Sequence, residues 1–394
     1  MKILVSNVGS TSLKFKLFEM PEEKVFCEAK VERVGSETSA TFTYKNNITG
    51  WQIKRENLCI PNYVEGIELF LSCMTDSASG VIGSVEEVES IGFKTVLSKG
   101  FYGVHELTAE VMEGMEKCLY VAPVHNSAYI EAIEQFRTVL PDVRMVGVFE
   151  TAFHTTIPLH RRIYGVPYEW YEKHGLMKMG YHGASHAYVA DQAKRIGPAD
   201  KVISCHLGGS CSVCAIENGA SVDTSFGYSL QSGVMHANRC GDVDSYTALF
   251  MLNQGLSADT VLSGFCKTGG LLGISGVSND MRELEAAAAS GNERAKLAIE
   301  AFAYDVVRYI GAFYAELGGL NQLVFTGGIG ENAHSFRSKV CSSLRHMGVC
   351  LDEEKNKNVK AGVISEDSSP VIISVIPANE ELGVARQTYY CIGH

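Results

Sequence analysis

Three short stretches put glycine and small polar residues directly after an apolar run. They are Asn7-Val8-Gly9-Ser10-Thr11-Ser12 with Lys14 close behind, His206 to Ser212 with Gly208 and Gly209, and Thr326 to Asn332 with Gly327-Gly328-Ile329-Gly330. Glycine lets backbone N–H groups approach an anion closely, and the hydroxyls and the lysine add donors and positive charge. Any one such stretch is more often a structural turn than a site. Three in one chain point to phosphate binding, with the hydroxyls and Lys14 lining it from one side and the second hairpin and the Gly327–Gly330 run from the other.

Such turns need strands before them. Residues 2–60 read as a β meander through KILVS, LKFKLFEM, KVFCEAKVERV, ATFTY and GWQIKR. Leu13, Phe15 and Leu17 alternate with Ser12, Lys14 and Lys16, the period of a half-buried strand. Helical patterns follow at YVEGIELFLSCM, LTAEVMEGMEKCL and SAYIEAIEQFRTVL, and VRMVGVF reads as a buried strand. The second half then repeats the opening. KVISCHLGGSCSV at 201–213 lies over MKILVSNVGSTSL at 1–13, each copy reading strand, Gly-Ser-x-Ser turn, strand. ERAKLAIEAFAYDVVRYIGAFYAELGG predicts one long helix, NQLVFTGGIGEN a strand and turn with a helix from about Ala333, VIISVI a strand and NEELGVARQTYY the last helix.

The chain has 394 residues, more than one core usually serves, so two domains are expected. Hydrophobic residues make up 46% and charged residues 20%, an ordinary globular balance. The net charge of −11 disfavours nucleic acid and anionic membranes as partners. The N-terminal apolar run is too short for a signal peptide and no apolar stretch is long enough to span a membrane, so a cytoplasmic protein is expected. Of the 12 cysteines, Cys211 and Cys214 form the sole CxxC, and on a strand residues three apart face opposite ways. A zinc site is not expected, and reduced, packed thiols are.

These motifs, in this order, resemble the acetate kinase family, within the superfamily of acetate and sugar kinases, chaperone ATPases and actin. The resemblance rests on N-x-G-S-x-S-x-K at 7–14, APVHN at 122–126, VFETAFHTTIP at 148–158, YHGASH at 181–186 and CHLGG at 205–209. It continues through NRCGDVD at 238–244, GISGVSNDMREL at 273–284, FTGGIGEN at 325–332 and IPANEEL at 376–382. It implies an α/β protein with a duplicated two-domain actin-like ATPase (ribonuclease H-like) fold, mixed sheets flanked by helices and an active site in the interdomain cleft. Residues 1–150 with about 382–394 would form an acid- and phosphate-binding domain. Residues 151–381 would form the nucleotide-binding and dimerisation domain, the long helix at 293–317 contributing to a homodimer.

The implied reaction is reversible phosphoryl transfer from ATP to a short carboxylate such as acetate or propionate, giving an acyl phosphate and ADP. A carboxylate is already ionised at neutral pH, so no general base is needed. The enzyme must position two anions and neutralise charge on the group in flight. By resemblance, Arg239, His182 and His125 contact that group, although Arg239 could instead form a structural salt bridge with Asp242 or Asp244. His154 and His186 read as structural. Glu150, Asn7 and Glu380 would organise Mg²⁺, with Mn²⁺ as a substitute, partly through water. Ser10, Ser12 and Lys14 serve the phosphates, as do His206, Gly208 and Gly209. Asp280, Arg282, Gly328, Ile329, Gly330 and Asn332 lie near the nucleotide, and Lys94, Val96, Val124 and Leu230 face the acid.

The sequence also departs from the family pattern. Its G-H-R-x-V-H-G-G becomes Gly92 to Gly100, so the acid-binding arginine is Lys94, a point charge without the bidentate fork. Lys99 offers a second cation nearby. The family aspartate is Glu150, Gly209 replaces an asparagine, Leu230 a proline and Asn238 a threonine. These changes leave room for a kinase of the same fold with another acceptor or with pyrophosphate as donor, or for a weakly catalytic nucleotide-binding regulator. A sugar kinase would need an aspartate base, for which Asp242 and Asp244 are the nominees.

Overall fold

The computed structural model describes residues 1–9, 11–119 and 123–393, with the side chains of 123–125 left out. The chain divides into two compact units, 1–152 with 379–394, and 153–378. Glu380 stands in the first of these units.

The first unit is built on one eight-stranded sheet. Its strands are β1 (Lys2–Gly9), β2 (Ser12–Glu19), β3 (Lys24–Glu32), β4 (Ser36–Asn46), β5 (Gln52–Ile60), β6 (Ser90–Thr95), β7 (Val104–Glu106) and β8 (Arg144–Phe149), in the order β5-β4-β3-β2-β1-β6-β8-β7. The meander is antiparallel, while β1, β6 and β8 run parallel. Alternation sorts β2 as expected: Leu13, Phe15 and Leu17 are buried. On the inner face Phe15 stacks on Phe70 at 4.4 Å between ring centroids, and Phe93 meets Phe136 edge-on at 5.6 Å. β6 has no counterpart among the expected strands.

The second unit carries a six-stranded sheet. Its strands are β9 (Lys201–Leu207), β10 (Cys211–Glu217), β11 (Ala220–Thr224), β12 (Gln322–Thr326), β13 (Gly362–Val363) and β14 (Ile372–Val375), in the order β11-β10-β9-β12-β14-β13. Its central run β11-β10-β9-β12-β14 repeats β3-β2-β1-β6-β8 of the first unit, with the same antiparallel hairpin and the same two parallel neighbours. The fold is therefore the duplicated α/β architecture that the resemblance implied, and the 200-residue offset in the sequence marks it. The long helix Glu293–Leu317 is capped by Asn292, whose side chain accepts from Ala295 N, and it ends at Gly318 in the left-handed region. It buries Phe302, Val306, Ile310 and Phe313 against this sheet.

The Gly327 run differs from expectation. It is not a turn before a helix at Ala333 but itself the helix Gly327–Asn332, followed by another, His334–Ser343. Gly327 sits at φ 76°, and a Cβ there would lie 2.8 Å from the Leu207 carbonyl oxygen. Only glycine lets β12 turn into a helix while pressed against the end of β9. No helix among the described residues is long and apolar enough to cross a membrane.

Candidate active site

In the second unit the loop after β9, the helix Gly327–Asn332 after β12 and the helix Met281–Ala289 line a cavity of about 610 Å³. Gly208, Gly209, Asp280, Arg282, Gly328, Ile329 and Asn332 all line it, so seven of the residues expected near the nucleotide and its phosphates come together. Asp280 caps its helix by accepting from Arg282 N at 2.9 Å, and the Arg282 side chain returns to both its oxygens at 3.0 and 2.6 Å. These bonds hold the Asp280 carboxyl down at about 2. Ala237, Asn279, Met281, Glu285 and Ala333 also line the cavity and were not expected. Gly330 is buried on the inner side of the helix Gly327–Asn332 and does not line the cavity. A Cβ at Gly209 would meet nothing within 4 Å, so packing does not forbid a side chain there.

Arg239 lies in the loop between Val234 and the helix Tyr246–Asn253. Cys240 N bonds Phe265 O at 2.9 Å, and Asp242 accepts from Gly233 N at 2.9 Å. Among the described residues the part-buried Arg239 guanidinium donates to two neutral oxygens, Ser210 Oγ at 3.2 Å and the Leu230 carbonyl at 3.0 Å. Among the described residues it forms no ion pair. The salt bridge to Asp242 or Asp244 is therefore not made. Asp242 is engaged by Gly233 and Tyr309, and Asp244 caps Tyr246 N at 2.8 Å. A cation desolvated without a counter-ion is costly, and an incoming anion relieves that cost.

His182 sits at φ 58°, left-handed and unusual for a ring-bearing residue, at the start of the helix Gly183–Ile196. Its Nδ1 is 2.8 Å from Ser212 Oγ, and its ring lies 4.1 Å from that of His206. Ser212 Oγ also meets His186 Nε2 at 2.7 Å. One hydroxyl proton serves only one of these nitrogens, so the other ring must donate to the oxygen. His206 is tied to Ser185 Oγ at 2.8 Å and joins this histidine cluster, not the glycine-lined cavity. Ser212 thus joins two histidines, a role that its place in the strand–turn–strand repeat does not reveal. His154 and His186 are fully buried and bonded through both ring nitrogens, as expected of structural histidines.

Burial pushes His154 down to about 4 and His186 well below its usual range. Burial, then Arg239, pushes His236 down to about 3. In unfolded chain these rings take up protons near pH 6.5, and in the fold they resist until pH is much lower. Stability is thus complete above about pH 6.5 and falls as pH drops toward 4, by on the order of 3 kcal/mol each for His154 and His236. Thermal melts should show this acid loss, and His236→Gln should flatten it. A melting temperature unchanged between pH 7 and 5 would contradict the burial argument.

The first unit holds all but one of the remaining groups. Lys94, on β6, reaches two carboxylates: Glu150 Oε1 at 2.7 Å and Glu380 Oε2 at 2.8 Å. All three side chains are largely buried, at 14%, 9% and 17% exposure. Burial alone would lower the Lys94 ammonium, but Glu150 and Glu380 hold it well above the ordinary lysine value. Asn7 pairs across the hairpin with Lys14, and its Oδ1 accepts from the buried Tyr129 hydroxyl at 3.3 Å. Tyr129 reads in the sequence as one more apolar helix position. Lys14 is not gathered with the carboxylates. It opens with Lys16, Lys30, Lys45 and Lys54 onto a shallow concavity on the outer face of the meander, where Lys16 pairs with Glu381 at 3.6 Å. Val96 is buried and Lys99 exposed. Ser12 stands beside Gly9 at the hairpin turn, and Leu230 is partly exposed in the second unit. Ser10 and the side chains of Val124 and His125 lie outside the described residues.

No group of three His, Cys, Asp or Glu side chains converges on a metal position among the described residues. The oxygen donors of Glu150, Glu380 and Asn7 nonetheless suit Mg²⁺, which takes one or two carboxylates and completes its shell with phosphates and water.

Comparison with known proteins follows the same lines. The profile described as the Acetokinase family matches residues 2–386. The acetate kinase of Shouchella clausii is 42% identical over 395 aligned residues, covering 98% of each chain, and that of Clostridium novyi is 40% identical with the same coverage. The crystal structure of Porphyromonas gingivalis acetate kinase superposes with a TM-score of 0.88 at 38% identity. A propionate kinase from Francisella tularensis superposes with 0.90 at 34%, each covering 99% of both chains.

Proposed function

Because the chain belongs to the acetokinase family, we propose that it transfers the γ-phosphoryl group of ATP to a short-chain carboxylate, acetate or propionate, giving an acyl phosphate and ADP. The observation that carries this reading is Arg239, a desolvated cation with only neutral partners among the described residues, on a pinned loop. A carboxylate oxygen attacks the γ-phosphorus as the bond to the β–γ bridging oxygen breaks, and no proton moves. Arg239 and His182, with His125, hold the oxygens of the transferring group as charge spreads over them. The glycine-lined cavity takes the nucleotide. Asp280 and Arg282 stand at its rim, and Gly208, Gly209, Gly328 and Ile329 let it approach the backbone. Asn7, Ser10 and Ser12 serve the phosphates, and Val96, Val124 and Leu230 shape the acid subsite. Glu150, Glu380 and Asn7 would hold Mg²⁺, which offsets phosphate charge when bound.

Both nominees for the aspartate base of a sugar kinase already hold structural contacts, Asp242 with Gly233 N and Tyr309 and Asp244 with Tyr246 N. A coupled assay for ADP tests the reading. ADP release should require acetate or propionate, with glycerol and glucose giving no more than the acid-free rate. Release driven equally by glycerol or glucose would overturn it.

We further propose a homodimer through the second unit. The helix Tyr246–Asn253 buries none of its residues, and it exposes Tyr246 at 75% and Phe250 at 61% along with Leu249 and Leu252. Val243 and Leu262 are exposed as well, and so are Leu297 and Tyr304 on the long helix. A monomer rarely leaves so large an apolar face in water. Phe250→Glu should halve the mass measured by light scattering, and an unchanged mass would remove this surface from the interface. All twelve cysteines are free thiols, which fits the reducing cytoplasm we propose as its setting.

A further inference from the structure

The Lys94 triad bears on how the acid is bound. Lys94 was expected to grip the acid carboxylate, and Glu150 and Glu380 to hold the divalent ion. In the fold the ammonium is held by those same two carboxylates, at 2.7 and 2.8 Å, with all three side chains mostly out of water. Two of its three N–H donors are thereby spent. The triad sums to one negative charge, so an acid carboxylate arriving beside it meets repulsion, not a free cation.

A divalent ion bound to Glu150 or Glu380 sits at about 2.1 Å from their oxygens, close enough to the ammonium for strong repulsion at part-buried sites. Lysine suits such displacement, since its charge rides on a flexible four-carbon stem, whereas a guanidinium fork would grip both carboxylates rigidly. We propose that Lys94 and the divalent cation compete for Glu150 and Glu380, so that the ammonium stays locked to its own carboxylates until the metal displaces it and frees it for the acid. The inference rests on the metal role given above to these two glutamates, and it makes acid binding depend on prior metal binding. The Lys94 and Glu150 departures then act together: the longer glutamate, directly after β8, reaches the shorter cation on the neighbouring parallel strand β6.

The test reads Mn²⁺ binding to the nucleotide-free protein from the electron paramagnetic resonance of the free ion. Lys94→Gln should bind Mn²⁺ at least tenfold more tightly than wild type, and Lys94→Arg no more tightly. Unchanged or weaker binding in Lys94→Gln overturns the proposal. Glu380→Gln separates the two layers. If it binds Mn²⁺ as well as wild type does, the metal role itself fails; if it loses Mn²⁺ while Lys94→Gln is unchanged, competition alone fails. A second readout needs no variant. Acetate affinity, from saturation-transfer NMR with ADP present, should be at least fivefold higher with Mg²⁺ than with EDTA. Equal affinity in the two conditions overturns the proposal.

Discussion

Arg239→Ala lowers kcat by about a thousandfold, while the melting temperature stays close to wild type. The two halves of this result have separate causes. The guanidinium donates to Ser210 and to the Leu230 carbonyl and forms no ion pair among the described residues, so its removal strands no buried carboxylate. Its loop is pinned by backbone bonds of Cys240 and by Asp242, and neither uses the Arg239 side chain. Charge that develops on the transferring group loses its fixed partner, and the loss falls on kcat more than on the KM of either substrate. Arg239→Lys keeps the charge but not the fork, and should fall between wild type and alanine. Steady-state kinetics with a thermal melt decide the matter. A kcat reduced less than tenfold, or a loss of activity matched by a collapse in melting temperature, would show Arg239 to be structural.

Gly92→Ala destabilises the first unit by roughly 1–3 kcal/mol through overpacking. At Gly92 the C-terminal helix Glu380–Cys391 presses on β6: a Cβ there would lie 2.3 Å from Thr388 Oγ1 and 2.9 Å from Val384 Cγ1. The helix must lift, and Glu380, at its first turn, moves with it. Activity should therefore fall along with the melting temperature, by roughly 2–4 °C per kcal/mol in a unit of this size. The buried Thr388 hydroxyl makes no hydrogen bond among the described residues. Thr388→Ala alone should cost little, and the Gly92→Ala/Thr388→Ala double variant should recover most of the lost stability. Additive losses in the double variant would contradict the contact on which this rests.

Both predictions draw on features the sequence shows unevenly. The two hairpins were legible because alternation and the offset repeat are local signals. β6 was not: Ser90–Thr95 is short, buried on both faces and interrupted by Lys94, so it lacks a period of two. The helix at Gly327 was hidden because a glycine run reads as a turn, and only the pressure of the Leu207 carbonyl explains it. The glycine-lined cavity was readable as a set of motifs, and seven of its residues meet as anticipated. The partners of Lys94 were not readable, since Glu380 lies 286 residues further along the chain and only the docking of the last helix brings it near. The Arg239 alternatives turned on whether Asp242 and Asp244 had other partners, which spacing alone does not reveal.

The central claim is that this chain makes an acyl phosphate, and hydroxylamine trapping tests it most directly. Purified protein with Mg²⁺ and ATP, given acetate or propionate, should yield the corresponding hydroxamate, with ADP formed in equal amount and no hydroxamate when pyrophosphate replaces ATP. ATP binding without hydroxamate from any short acid, or hydroxamate formed with pyrophosphate and not with ATP, would contradict it.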